Sequence, residues 1–119
     1  MTTTELKKED LKSFIKTTER RIEKSKASLA ENFTYYLPWV GEELYKDEFK
    51  IKYYESILTD LTDMPEDNNT IEIWIKRLSD FTSRSYNVRE NSSGSLHREV
   101  STWKFIATME LIEEMSKIN

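Results

Sequence analysis

Apolar side chains recur every three or four residues along four segments of this chain, which is the spacing of amphipathic α-helices. The first segment runs from Thr4 to about Leu37 and predicts a long first helix of roughly 50 Å. Pro38 lacks an amide donor and disfavours helix at the residue before it, which predicts the first corner there. The core-facing positions of this helix are Leu11, Phe14, Ile15, Ile22, Leu29, Phe33 and Tyr36, with Thr18 and Ser25 in the same seam.

A second helix is predicted from about Val40 to Asp63. It ends before the run 64–69, whose proline, asparagine and acidic residues have the composition of a turn. The helix has one apolar arc, which we expect to pack against the rest of the protein. The positions on this arc are Val40, Leu44, Ile51, Tyr54, Leu58 and Leu61.

A third helix is predicted to begin after Asn69, because Asn69 and Glu72 have the spacing of a capping pair. Isoleucines at alternate positions keep a strand over 71–75 open as the alternative. Leu78 and Phe81 continue the helical period beyond the alternation, which favours the helix.

The stretch 86–95 loses periodicity and collects asparagine, serine and glycine, so it predicts a loop. Ser95 is the predicted N-cap of a last helix that continues to the end of the chain. The apolar face of that helix carries Leu96, Val100, Trp103, Ala107, Leu111, Met115 and Ile118.

The short connections between these segments predict antiparallel neighbours. Composition agrees with helices, since charged residues make up 34% of the chain and there are only 2 glycines and 2 prolines. The expected fold is all-α, an antiparallel up-down four-helix bundle with a long first helix, in one helical domain over residues 1–119.

Two of the predicted helices carry a second apolar face, roughly opposite the first. On the second helix this face consists of Tyr45, Phe49 and Tyr53, and on the last helix of Phe105, Ile106, Met109 and Ile112. A simple bundle would leave these side chains in water, so we interpret them as a protein interface. The partner at this interface would be a second copy of the chain or a different protein. The alternative is that other segments of the same chain cover these faces.

Basic side chains follow one another at steps of four along the first helix, at Lys8, Lys12, Lys16, Arg20 and Lys24. This basic stripe is the alternative candidate site, an anion-binding or nucleic-acid-binding surface. Acidic residues interrupt the same face and the net charge of the chain is −4, so nucleic acid is the weaker hypothesis. Attraction between this basic helix and the acidic second helix explains the stripe without a ligand.

No pattern of residues predicts catalysis, a metal site or a cofactor. The single histidine, His97, excludes sites that need several histidines, and the chain has no cysteine. Nowhere do 18 apolar residues occur consecutively, and residues 1–10 are charged, so we expect no membrane span and a cytoplasmic location. The sequence thus predicts a non-enzymatic interaction or structural module that self-associates, as a homodimer, through its aromatic and aliphatic helix faces. Binding of a different protein, as an adaptor, subunit or inhibitor of a larger assembly, is the other form of this prediction.

Overall fold

Residues 3–63, 69–91 and 95–118 are described by a computed structural model, with the side chains of 4–63, 69–82 and 99–118. The described residues form four α-helices and no strand. This confirms the all-α four-helix prediction, and residues 71–75 are helical rather than extended. The helices are α1 (Thr3–Glu31), α2 (Phe33–Asp63), α3 (Thr70–Asn91) and α4 (Ser95–Ile118).

The first corner lies at Asn32, so its predicted position at Pro38 is wrong. Asn32 alone separates α1 from α2, and its side-chain Oδ1 accepts a hydrogen bond from the amide of Tyr35 at 3.1 Å. This is the contact of an N-cap. Pro38 lies inside α2.

The contacts between α1 and α2 explain why the chain turns at Asn32 and not at Pro38. The Phe14 ring stacks on the Tyr54 ring, and Arg21 pairs with Asp47. An antiparallel hairpin with these two pairs has its midpoint near residue 34, close to Asn32. A corner at Pro38 would displace α2 along α1 and separate Asp47 from Arg21.

The third helix is longer than predicted, because α3 continues to Asn91 and includes much of the expected loop 86–95. Residues 86–91 contain neither glycine nor proline, and the other residue types cost a helix at most about 0.7 kcal/mol each relative to alanine. Both predicted starts are correct. The carbonyl of Asn69 accepts from the amide of Ile73 at 2.9 Å, and α4 begins at Ser95.

Helix α2 is the central element. It packs along α1 and also contacts α4 and α3, while α3 and α4 pack along each other. Tyr53 contacts Trp74 whereas the earlier Phe49 contacts Phe81, so α3 runs opposite to α2. Contacts between α2 and α4 advance together along both helices, as expected for alternate members of an up-down bundle.

The hydrophobic core draws on all four helices. Its buried members are Leu11, Tyr54, Ile57, Leu61, Ile71, Leu78, Leu111 and Met115. All of them except Ile57 lie on the apolar faces that helical spacing predicts. The small polar residues Thr18 and Ser25 are also buried, as predicted for the seam of α1.

Replacing the cap should destabilise the corner. We expect Asn32→Ala to lower the free energy of unfolding by about 1 kcal/mol, because the amides of the first turn of α2 lose their acceptor. Asn32→Asp keeps an acceptor oxygen and serves as the control. Urea unfolding followed by circular dichroism measures both variants, and equal stability of Asn32→Ala and wild type would contradict the assignment of the cap.

Candidate functional site

The predicted aromatic face of α2 lies against other helices of the same chain. Tyr45 contacts Trp103 of α4 with ring centroids 5.7 Å apart, Phe49 contacts Phe81 of α3 at 6.3 Å, and Tyr53 is half-buried beside α3. Of the alternatives considered for this face, cover by other segments of the same chain therefore applies, and the segments are α3 and α4. Its role in binding a partner stays a prediction.

The predicted second face of α4 is also largely covered. Phe105, Ile106 and Ile112 are half-buried, and Ile112 packs against the core. Met109 is the exception, with 49% of its surface exposed. The four residues do not form a continuous exposed stripe.

A different aromatic cluster is exposed, immediately after the corner at Asn32. Trp39 is 72% exposed and Phe33 59%, and Tyr35 and Leu37 are exposed as well. The sequence pattern placed Phe33 in the core of the first helix, which is wrong because the corner assigns Phe33 to α2. The concentration of aromatic residues in this segment was the signal that could have identified the cluster.

Phe33, Leu37 and Trp39 of this cluster border a concave surface of about 900 Å³, which we call the corner groove. It lies between the end of α1, the start of α2 and the start of α4. Its apolar lining includes Leu29, Phe33, Leu37, Trp39, Leu44 and Trp103.

The rim of the corner groove is acidic. Its carboxylates belong to Glu42, Glu43, Glu48 and Glu99. Lys46 pairs with Glu43 at 3.1 Å and with Glu42 at 3.4 Å, and Lys26 pairs with Glu48 at 3.6 Å. Two ammonium groups therefore face four carboxylates, so the rim stays net negative.

The chain exposes more surface than a compact monomer of its mass. Its accessible surface is 7787 Å², whereas about 6,800 Å² is expected for 14.2 kDa. Its radius of gyration is 16.0 Å, compared with roughly 13.5 Å for a compact domain of this length. The chain is thus more elongated than a compact domain of its length, with principal extents of 47 × 36 × 20 Å.

The basic stripe lies on the outer side of α1, where Lys12, Lys16, Arg20 and Lys24 are exposed and Lys8 is half-buried. The attraction expected between α1 and α2 comes instead from Arg21 and Lys26, which are not in the stripe. Arg21 and Lys26 face α2. The four-residue spacing of the basic stripe did not predict that these two residues would pair with α2.

Charged residues on α2 form a buried network that the sequence pattern did not identify. Lys46 and Lys50 are buried between α2 and α4. The ammonium group of Lys50 lies 3.1 Å from Glu110 and 3.6 Å from Glu114, and Lys46 lies 3.7 Å from Glu110. These ion pairs join α2 to α4.

On the opposite side of the network, buried Asp47 joins α2 to α1. Nε and Nη2 of Arg21 donate to the Asp47 carboxylate at 3.1 to 3.3 Å. The hydrogen bond to Asp47 raises the pKa of Arg21, against the opposing effect of burial. This salt bridge joins the first two helices.

Sites of other kinds have less support. Among the described residues, no group of three or more histidine, cysteine or acidic residues is placed to hold a metal ion. The side chain of His97 lies outside the described residues. Within the described part of the chain, no helix has an apolar stretch long enough to cross a bilayer.

Removing the cation between α2 and α4 should destabilise the fold. We expect Lys50→Met to lower the free energy of unfolding by about 2 kcal/mol, because Glu110 and Glu114 lose a buried partner. This is below the range for fully buried pairs since Glu110 is 33% exposed. Lys52→Met removes an exposed lysine of the same helix and should have almost no effect. Equal urea midpoints for the two variants would contradict the structural role of Lys50.

The network also predicts a loss of stability at alkaline pH. Burial acts to lower the pKa of Lys46, but the hydrogen bond to Glu43 and the nearby carboxylates outweigh it, so the pKa is raised above 10.5. The folded state thus holds this proton more tightly than the unfolded state. The resulting stabilisation is complete below pH 10.5 and is lost as the pH rises through the folded-state pKa.

Urea unfolding at pH 9 and at a pH above 11 measures this dependence. Lys46→Arg keeps its charge over that interval, so its stability should fall less than that of the wild type. Burial also raises the pKa of Tyr45, which contributes with the same sign in both proteins and cancels in the comparison. Equal losses in the two proteins would show that Lys46 does not contribute.

In comparisons with known proteins, no protein-family model, no curated protein and no solved structure matches this chain. The features that bear on function are therefore those of the chain itself. They are the exposed aromatic cluster, the corner groove with its acidic rim, and the buried ion pairs that hold the helices in place.

Proposed function

We propose that this protein is a helical module that binds another protein at the corner groove. The observation that carries the proposal is the exposure of Trp39, Phe33 and Leu37 beside a large apolar concavity. Aromatic side chains are enriched at protein interfaces and often dominate the binding energy. Such a surface supports a binding role rather than a catalytic one.

The charge of the rim indicates the chemistry of the partner. A segment that carries both apolar and basic side chains would cover the apolar lining and pair with the excess carboxylates. A basic amphipathic helix combines these properties, and helices commonly bind in apolar grooves of helical proteins. We therefore propose a basic amphipathic segment of another protein as the occupant.

Self-association is the second form of this proposal, and the charges weigh against it. In a two-fold dimer through the corner groove, each acidic rim would face its own copy. The basic stripe of a second copy would relieve the repulsion, but only in a head-to-tail contact that continues into rings or filaments. We expect a monomer at micromolar concentrations, which light scattering after gel filtration measures.

The nucleic-acid alternative stays a prediction based on the exposed basic stripe. If it holds, binding should weaken steeply with added salt and with neutralisation of Lys12, Lys16 and Arg20. Variants of the corner groove should leave that binding unchanged, which separates the two hypotheses.

Substitutions in the corner groove should abolish capture of the partner. Affinity purification from the native host with the Phe33→Ser, Trp39→Ser double variant should recover at least roughly tenfold less of any protein that the wild type retains. Exposed positions tolerate substitution with changes in stability within about 0.5 kcal/mol, so the variant should remain folded. Circular dichroism checks this.

Ile73→Ser is the matched control, because Ile73 is exposed on α3 and does not line the groove. It should retain the partner at the wild-type level. The retained proteins should bind less at high salt, since the acidic rim contributes to the interface. Equal recovery with wild type and the double variant would exclude the corner groove as the binding surface.

A further inference from the structure

A second concavity lies on the aromatic face of α2, on the side where α3 and α4 approach it. It has a volume of about 380 Å³, and we call it the aromatic cleft. Its lining residues are Tyr45, Phe49, Lys52, Tyr53, Ser56, Phe81 and Lys104. Among the described lining residues, Tyr45 alone is shared with the corner groove, so the two surfaces can be tested separately.

Four aromatic rings form the walls of the cleft. The Tyr45 and Phe49 rings are nearly parallel, with an interplanar angle of 15° and centroids 6.5 Å apart. Phe49 also lies 5.1 Å from Tyr53 and 6.3 Å from Phe81. These rings are half-buried, and all four line the cleft. Planar ligands gain stacking energy on such surfaces in addition to burial.

Two ammonium groups belong to the same lining. Lys104 of α4 lies over the Phe81 ring, with its Nζ 5.4 Å from the ring centroid. Lys52 is exposed on α2. Neither lysine forms an ion pair with another described residue, and the described lining contains no carboxylate. Among the described lining residues, an anion in the cleft would therefore meet two cations and no carboxylate.

We propose that the aromatic cleft binds a small planar aromatic anion, such as an aryl carboxylate. The ring of the ligand stacks against Phe49 and Phe81, and its anionic group pairs with Lys52 and Lys104. Apolar walls with a few convergent polar groups are the usual composition of small-molecule sites, and the volume of the cleft lies within their size range.

The small volume of the cleft suits a single compact ligand. Two of its rings are held by contacts outside the cleft, Tyr45 by Trp103 at 5.7 Å and Tyr53 by Trp74 at 6.1 Å between centroids. The indole of Trp74 is fixed by its hydrogen bond to Asp60 at 2.8 Å. A nucleic-acid strand needs a continuous track of rings and cations, so a compact one-ring or two-ring compound fits better.

Titration of the purified full-length chain with 2-naphthoate, followed by amide shifts in NMR spectra, tests the proposal. The uncharged 2-naphthamide has the same shape and measures the contribution of the anion. We expect 2-naphthoate to bind roughly tenfold more tightly, because two partly exposed ion pairs contribute on the order of 1 kcal/mol or less each. The shifts should be confined to residues 45–56 of α2 and to the neighbourhood of Phe81 and Lys104.

The Lys52→Met, Lys104→Met double variant should bind 2-naphthoate roughly tenfold more weakly and leave the affinity for 2-naphthamide unchanged. Lys12→Met, Lys16→Met removes two exposed lysines of α1 and should change neither affinity. Ser56→Phe places a ring in the cleft from an exposed position and should block both compounds. Circular dichroism confirms that each variant is folded.

Three outcomes would overturn the proposal. They are equal affinity for the two compounds, shifts centred on the corner groove, and the absence of shifts at millimolar 2-naphthoate. Binding of 2-naphthoate should persist in the Phe33→Ser, Trp39→Ser variant. The proposal for the aromatic cleft and the proposal for the corner groove can therefore fail independently of each other.

Discussion

Lys46, Asp47 and Lys50 occupy the face of α2 that α1 and α4 cover, and buried charges require partners because their desolvation costs several kcal/mol. Arg21 of α1 satisfies the aspartate, and two glutamates of α4 satisfy the lysines. These pairs form only when both helices have the correct register against α2. The ionic contacts thus position the helices, while the apolar core supplies the driving force for folding.

The exposed surface follows from that register. Because Arg21 must meet Asp47, the chain turns at Asn32, and residues 33–39 begin a new helix there. Phe33, which continues the apolar pattern of α1, is thereby moved away from its core-facing side. It borders the corner groove together with Trp39, and the glutamates near them give the rim a net negative charge. The salt bridge between Arg21 and Asp47 thus helps to determine which residues are exposed to a partner.

Helix α3 is held to α2 by different means. The contacts between them include two pairs of aromatic rings and the hydrogen bond from Trp74 to Asp60, and α3 packs more extensively along α4. The rings that meet between α2 and α3 have centroids 6.1 and 6.3 Å apart, the usual range for aromatic contacts. The aromatic cleft lies beside these rings, where α4 also approaches α2.

Helical periodicity by itself determined the number of helices, most of the core and the starts of α3 and α4. Apolar burial and capping are local or periodic properties, so one-dimensional spacing reveals them. In the sequence, the corner at Asn32 is indicated only by an asparagine that can cap a helix. Pro38 was the stronger signal for the position of the corner. The ion pairs of α2, the cover over Tyr45, Phe49 and Tyr53, and the exposure of Trp39 were decided by the tertiary structure alone. They depend on which distant residues meet, and a charged or aromatic residue has the same one-dimensional pattern whether its neighbour is water or another helix.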